Sequence, residues 1–204
     1  MGWGFYNGAG AAKTTSSVTF VTSLPTTPFD GQEVYYQSTT AGTGGGATNT
    51  MADIGAVWHL RYRSAAAGSY KWECVGGSGL VAVVATSETT ASATYADPAT
   101  IGPTITLPLA GDYKIGTAAT TVNSTVGYGV GVSFSVSGGA AGTASDVDAF
   151  RITTVTASAL QATATFAYKT GLTAAAVTMR YRVTGGGTAT VSNRTLTALP
   201  IRVG

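Results

Sequence analysis

"VWHLRYRSAAAGSYKWECVGG", residues 57–77, decides the fold, because it holds the chain's one histidine, its one cysteine and two of its three tryptophans. Read with a period of two, Trp58, Leu60 and Tyr62 share one face, and Tyr70, Trp72 and Cys74 form the matching face of a returning strand. "SAAAGS" is then the loop. A register that pairs Tyr62 with Tyr70 sets Leu60 beside Trp72, Trp58 beside Cys74, and His59 across from Glu73. On this reading the rare residues meet because the hairpin is the core of a small module. Cys74 is packing, and His59 with Glu73 is a cross-strand pair on the polar face.

The flanking sequence carries the same signal. "SVTFVTSL" (17–24) and "GQEVYYQ" (31–37) are short runs rich in β-branched and aromatic residues, bounded by Pro, Asp and Gly. With the hairpin they make a small antiparallel module over 18–79. "GGSG" (76–79) has the composition of a flexible joint, and "STTAGTGGGATNT" (38–50) reads as a mobile loop. From 80 to 204 short strands continue, broken by turns such as Ala110-Gly111-Asp112 and Gly185-Gly186-Gly187. In "VGVSFSVSG" the apolar Val130, Val132, Phe134 and Val136 face one way and Gly131, Ser133, Ser135 and Ser137 the other. In "TMRYRV", Met179, Tyr181 and Val183 oppose Thr178, Arg180 and Arg182. No window shows helical periodicity between caps. The expected fold is all-β, a small antiparallel N-terminal module followed by a jelly-roll-like two-sheet sandwich.

Charge is scarce. Only 10% of the 204 residues are charged and the net charge is +2, against about 25% charged in ordinary domains. The scattered cations leave no footprint for nucleic acid. No apolar run is long enough for a membrane helix, one cysteine forms no intramolecular disulfide, and "MGWGFYNGAG" lacks the plan of a secretory signal. The chain is expected to be made as a soluble cytoplasmic product. Its outward strand faces carry Ser, Thr, Ala and Gly where a monomer places Lys and Glu. Such faces pack against copies of themselves, the other reading being a monomer with a low-charge coat. Residues 1–17 read as an arm in which Trp3, Phe5 and Tyr6 either anchor on a partner surface or dock back onto the first module.

Catalytic signatures are missing. A hydrolytic triad has only His59 as base and no G-x-S-x-G elbow to present a serine. Cys74 sits on an apolar face. A structural zinc needs four Cys or His ligands. Asp146 and Asp148 in "GTASDVDAF" resemble part of an oxygen cage, but the rest of a calcium loop is absent and a polar turn before Phe150 is the simpler reading. Asn123 and Asn193 head glycosylation sequons. The expectation is a protein that is not an enzyme, with no catalytic, metal or cofactor site.

Three motifs carry a family resemblance. Pro25-x-x-Pro28-x-Asp30-Gly31-Gln32, Trp58-x-Leu60-Arg61-Tyr62 and Lys71-Trp72-Glu73-x-Val75-Gly76-Gly77 resemble a module of virion proteins of tailed bacteriophages, particularly those of actinobacterial hosts. The remainder, ending in Asn193-Arg194-x-Leu196 and Pro200-x-Arg202-Val203, is similar to the C-terminal sandwich that follows it in minor tail or fibre-like proteins. The resemblance implies an exterior virion component without enzymatic activity. It would be a tail-tip or minor tail fibre, or a head fibre decorating the capsid, trimeric and attached through its N-terminal part to other tail or capsid proteins. A different class, a carbohydrate-binding sandwich that recognises host surface glycans, is the alternative.

Overall fold

In a computed structural model, residues 19–37, 57–137, 143–154, 160–173 and 175–204 are described. The expected arm, with Trp3, Phe5 and Tyr6, and the 38–50 loop lie outside them. The chain is all-β, with strands β1 (Phe20–Val21), β2 (Glu33–Gln37), β3 (Val57–Tyr62), β4 (Trp72–Gly77), β5 (Leu80–Val84), β6 (Glu88–Thr90), β7 (Thr104–Thr106), β8 (Gly111–Asn123), β9 (Gly129–Val136), β10 (Phe150–Thr153), β11 (Gln161–Leu172), β12 (Ala176–Thr184) and β13 (Ala189–Val203). Among the described residues no helix is long and apolar enough to cross a membrane.

From β5 onward the strands wind as a rolled hairpin. If β5 and β6 count as one strand, first pairs with eighth (β5/β6 with β13), second with seventh (β7 with β12), third with sixth (β8 with β11) and fourth with fifth (β9 with β10). β13 also pairs β8, and β12 pairs β9. One sheet therefore reads β5/β6-β13-β8-β11 and the other β7-β12-β9-β10. This is a jelly roll, as the alternation in β9 and β12 required. Val130, Val132, Phe134, Val177, Met179, Tyr181 and Val183 are all buried.

β13 is the spine. One of its edges takes β6, β5 and β4 in turn, while the other runs along β8. Its buried positions are Ala189 and Val191, then Arg194, Leu196, Ala198 and Pro200, then Val203. A strict period of two cannot join these three sets, so β13 inserts an extra residue between Ser192 and Thr195 and another between Pro200 and Arg202. Asn193 makes the first insertion with φ 48, a left-handed conformation that asparagine tolerates better than most residues.

The N-terminal module is not separate from this roll. β4 pairs the end of β13 through Glu73 with Arg202 and Trp72 with Val203, so β4-β3-β2-β1 extend the larger sheet. One core cluster runs across the join and includes Val34, Tyr36, Trp58, Leu60 and Trp72 with Tyr113, Ile115, Leu196 and Val203. Trp58 meets the Tyr113 ring edge-on at 6.3 Å, and its Nε1–H donates to Ser78 O at 2.9 Å. That bond pins the 76–79 run expected as a flexible joint. Gly77 helps, since a Cβ there would lie 2.3 Å from Val57 O.

Two expectations for the module need correction. The first strand is only Phe20–Val21 and pairs parallel with β2, so the module is not wholly antiparallel; Pro25 and Pro28, which lack the N–H that a ladder needs, lie in the connection between the two strands. In the hairpin, Tyr62 pairs Trp72, Arg61 pairs Glu73 and Leu60 pairs Cys74, with a bulge that then sets His59 against Gly76. The pairing is two residues away from the expected one. A two-residue slip keeps every side chain on its face, so periodicity alone does not choose between the registers. Asp30 favours the observed one, since its carboxylate accepts from Ser64 N (2.7 Å) and Oγ (2.8 Å) and ties the wider loop to the Asp30-Gly31 turn.

Candidate interaction surface

The residues that promised chemistry are kept apart. His59 and Cys74 lie on opposite faces of the hairpin, since Cys74 pairs with Leu60 rather than with His59. Cys74 packs against the core, its Sγ 3.4 Å from Gly76 O, and burial pushes its thiol up from the ordinary value. His59 does not meet Glu73. Its Nε2 is 2.9 Å from Glu33 Oε2, its ring stacks on Tyr35 at 4.6 Å, and Glu73 instead accepts from Arg63 Nε at 2.9 Å. The Arg61 guanidinium, then His59, holds the Glu33 carboxyl below its usual range.

Asp146 and Asp148 fall on a 3-10 turn directly before β10, the polar turn that the sequence favoured. Both are engaged by cations. Arg182 Nη2 reaches both Asp146 oxygens at 2.7 Å, Arg151 also pairs with Asp146, and Lys169 pairs with Asp148. Among the described residues no group of three or more metal-ligating side chains converges. Asn123, at one sequon, is fully buried and holds the 124–129 and 185–187 turns through Gly129 O, Gly186 O and Thr125 N.

These ion pairs explain where the few charges go. The outer face of the β7-β12-β9-β10 sheet, with Gly131, Ser133 and Ser135, is covered by the chain itself, not left for a neighbour. Tyr95 lies over Gly131, where a Cβ would sit 2.9 Å from its Oη, and donates to Asp146 Oδ1 at 2.9 Å. Burial, then the Asp146 hydrogen bond, pushes the Tyr95 phenol up to about 12. Ser133 Oγ bonds Ser145 O at 2.9 Å, and Asp97 pairs with Arg180. Arginine–aspartate pairs thus clip two crossing segments onto this sheet.

The outer face of the other sheet has no such cover among the described residues. β11 forms its edge and alternates half-buried with exposed positions along its length. Phe166 is 58% exposed and Tyr168 70%, while Leu199 and Ile201 on β13 are also exposed. Gly116 lets the Phe166 ring and Thr197 lie close over the strand between them, for a Cβ there would lie 2.4 Å from Thr197 Oγ1 and 2.6 Å from the Phe166 ring. Ala118, Thr195 and Thr197 continue the surface in flat rows. The cation here is Lys114, whose Nζ lies 4.2 Å from the Phe166 ring centre and 5.9 Å from that of Tyr168. A long edge with few charges and an apolar patch on its face is the feature that isolated sheets avoid. The small-residue pattern in the sequence pointed to such a face. That β11 forms the edge rests on pairing between distant strands, which no local signal encodes.

No protein-family model matches the chain, and no curated protein matches it. Among solved structures the chain is similar to one in "Structure of infectious bursal disease virus Gx strain", with a TM-score of 0.37, 14% identity, and coverage of 87% of this chain and 53% of that one. The chain therefore spans about half the length of that relative.

Proposed function

We propose that the chain is a non-enzymatic structural component of the exterior of a bacteriophage virion, assembled as a homo-oligomer through the face built on Phe166, Tyr168 and Leu199. The observation that carries this reading is the division of charge. The chain spends its ion pairs on clipping its own segments and leaves a long edge strand and its sheet face nearly uncharged. The jelly roll suits the role, since it is a recurrent fold of capsid and lectin domains. The phage-type motifs of the first module lie in β2–β4 and their turns, where they build a rigid base. A trimer, with the N-terminal part attached to a tail or capsid protein and the roll outward, is the arrangement we favour.

The position on the particle is tested by cryo-EM of the virion. Density for the chain at the tail tip supports a tail fibre and density on the capsid lattice supports a head fibre, whereas a particle without the chain overturns the reading. A sugar-binding role has less support. Tyr35 and His59 stack with their planes 4° apart and so spend their faces on each other, and Lys114 lies over the Phe166 ring.

A further inference from the structure

Strand register arranges the outer face of the larger sheet in rows that cross its strands. One row carries alternating charge. Glu33 on β2 stands beside Arg61 on β3, Arg61 beside Glu73 on β4, Glu73 beside Arg202 on β13, and Arg202 beside Asp112 on β8. Each acid in it is paired, Glu33 with Arg61 at 2.6 Å, Glu73 with Arg63 at 2.9 Å and Asp112 with Arg202 at 3.0 Å. These charges cancel among themselves.

The neighbouring row is apolar. Phe20 on β1 lies beside Tyr35 on β2, and Tyr35 beside His59 on β3, with ring centres 5.5 and 4.6 Å apart. Where β3 and β4 shift register, Val75 is the residue that β4 inserts between the partners of Leu60 and His59. β4 runs antiparallel to β13 with Glu73 at Arg202, so Val75 lies toward Leu199 and Ile201. Leu199 in turn pairs Lys114 on β8, and Lys114 pairs Tyr168 on β11. Phe20 is 64% exposed and Val75 44%. The exposed large apolar side chains of this face therefore run across the strands and into the first module. They do not run up the roll, where the outward positions beyond Gly116 and Thr197 on β8, β11 and β13 are small or half-buried.

We infer that the contact between copies spans both parts of the chain, with the row from Phe20 through Val75 and Leu199 to Tyr168 buried against a second copy. This rests on the reading of the Phe166 and Tyr168 face as the place where copies meet. A stable interface takes about 800 Å² from each partner, roughly a square of 28 Å. At about 4.8 Å per strand, β13, β8 and β11 present a strip about 14 Å wide, whereas the seven strands from β1 to β11 present about 34 Å. The mutually paired charges beside the row call for no highly charged partner such as nucleic acid or an anionic lipid surface. The first module is then part of the interface as well as the base of the roll.

The test uses the full chain, with association measured by sedimentation velocity over a dilution series. Phe20→Glu and Val75→Glu each place a charge on the row far from Phe166, and each should raise the dissociation constant about tenfold or more. Val126→Glu, in the exposed turn after the far end of β8, should leave it unchanged. Hydroxyl-radical footprinting of the unsubstituted protein needs no variant. Phe20 and Tyr168 should be oxidised several-fold less in the oligomer than after dilution to single chains, while Tyr128 reacts equally in both. A protein that stays monomeric at micromolar concentration overturns this inference together with the reading it rests on. An oligomer that Phe20→Glu and Val75→Glu leave intact overturns this inference alone and confines the contact to the roll. So does equal oxidation of Phe20 before and after dilution, the result that cover by the chain's own residues 1–18 would give.

Discussion

Deleting Asn193 removes the residue that lets β13 change the parity of its buried side chains. Ala189 and Val191 are fully buried on one side of it, and Leu196 and Ala198 are fully buried on the other. Without the insertion one of these sets faces outward. The shorter segment turns at lower cost, exposing Val191 and burying Thr190 and Ser192. Exposing a buried valine costs about 1.5–3 kcal/mol, and each hydroxyl buried without a partner costs about 1–3 kcal/mol. The sum is roughly 5 kcal/mol, as large as the whole stability of many domains. Substitutions at the same position separate backbone strain from parity. Asn193→Val forces a branched residue into a left-handed conformation and costs about 1–2 kcal/mol, whereas Asn193→Gly accepts φ 48 readily. Urea unfolding followed by tryptophan fluorescence measures all three. A deletion within about 1 kcal/mol of the unsubstituted protein, well below the summed cost, would refute the parity argument.

Other substitutions test the module, the straps and the acid limb. Trp58→Phe removes the bond to Ser78 O and opens space beside Tyr113; it should cost about 2–3 kcal/mol in the same urea assay. Gly131→Ala places a methyl group against Tyr95 and should lift that ring off the sheet, so an alkaline absorbance titration should show the tyrosine moving down from about 12 toward its ordinary value near 10. Glu33 is held below its ordinary 4.5 by Arg61 and His59. Its contribution is therefore complete above about 4.5 and lost as pH falls through the lower folded value. Melting temperatures recorded down the acid limb should fall less steeply for Glu33→Gln.

Much of this fold was legible because two-residue alternation is a local property. The buried faces of β9 and β12 are readable from Val130 to Val136 and from Met179 to Val183, and the all-β class follows from them. The hairpin register was not, because Tyr62 against Tyr70 and Tyr62 against Trp72 bury the same faces; the choice is made by Asp30, more than 30 residues away. No local signal marks Arg194 as buried either. It enters the core because the bulge at Asn193 shifts the strand by one position. Of the small-residue faces, β9's serines are covered by the 92–97 and 145–148 segments, and the open face lies on the other sheet. Long-range ion pairs such as Arg182 with Asp146 decide that, and composition cannot show them.

The central claim is that the sparsely charged face around Phe166 and Tyr168 is where copies of the chain meet. Light scattering at micromolar concentration tests it most directly. The account predicts a mass that is a multiple of 20.4 kDa, reduced to a single chain by Phe166→Glu with Tyr168→Glu while circular dichroism stays unchanged. A clean monomer for the unsubstituted protein, or a multimer that the two glutamates leave intact, would contradict it.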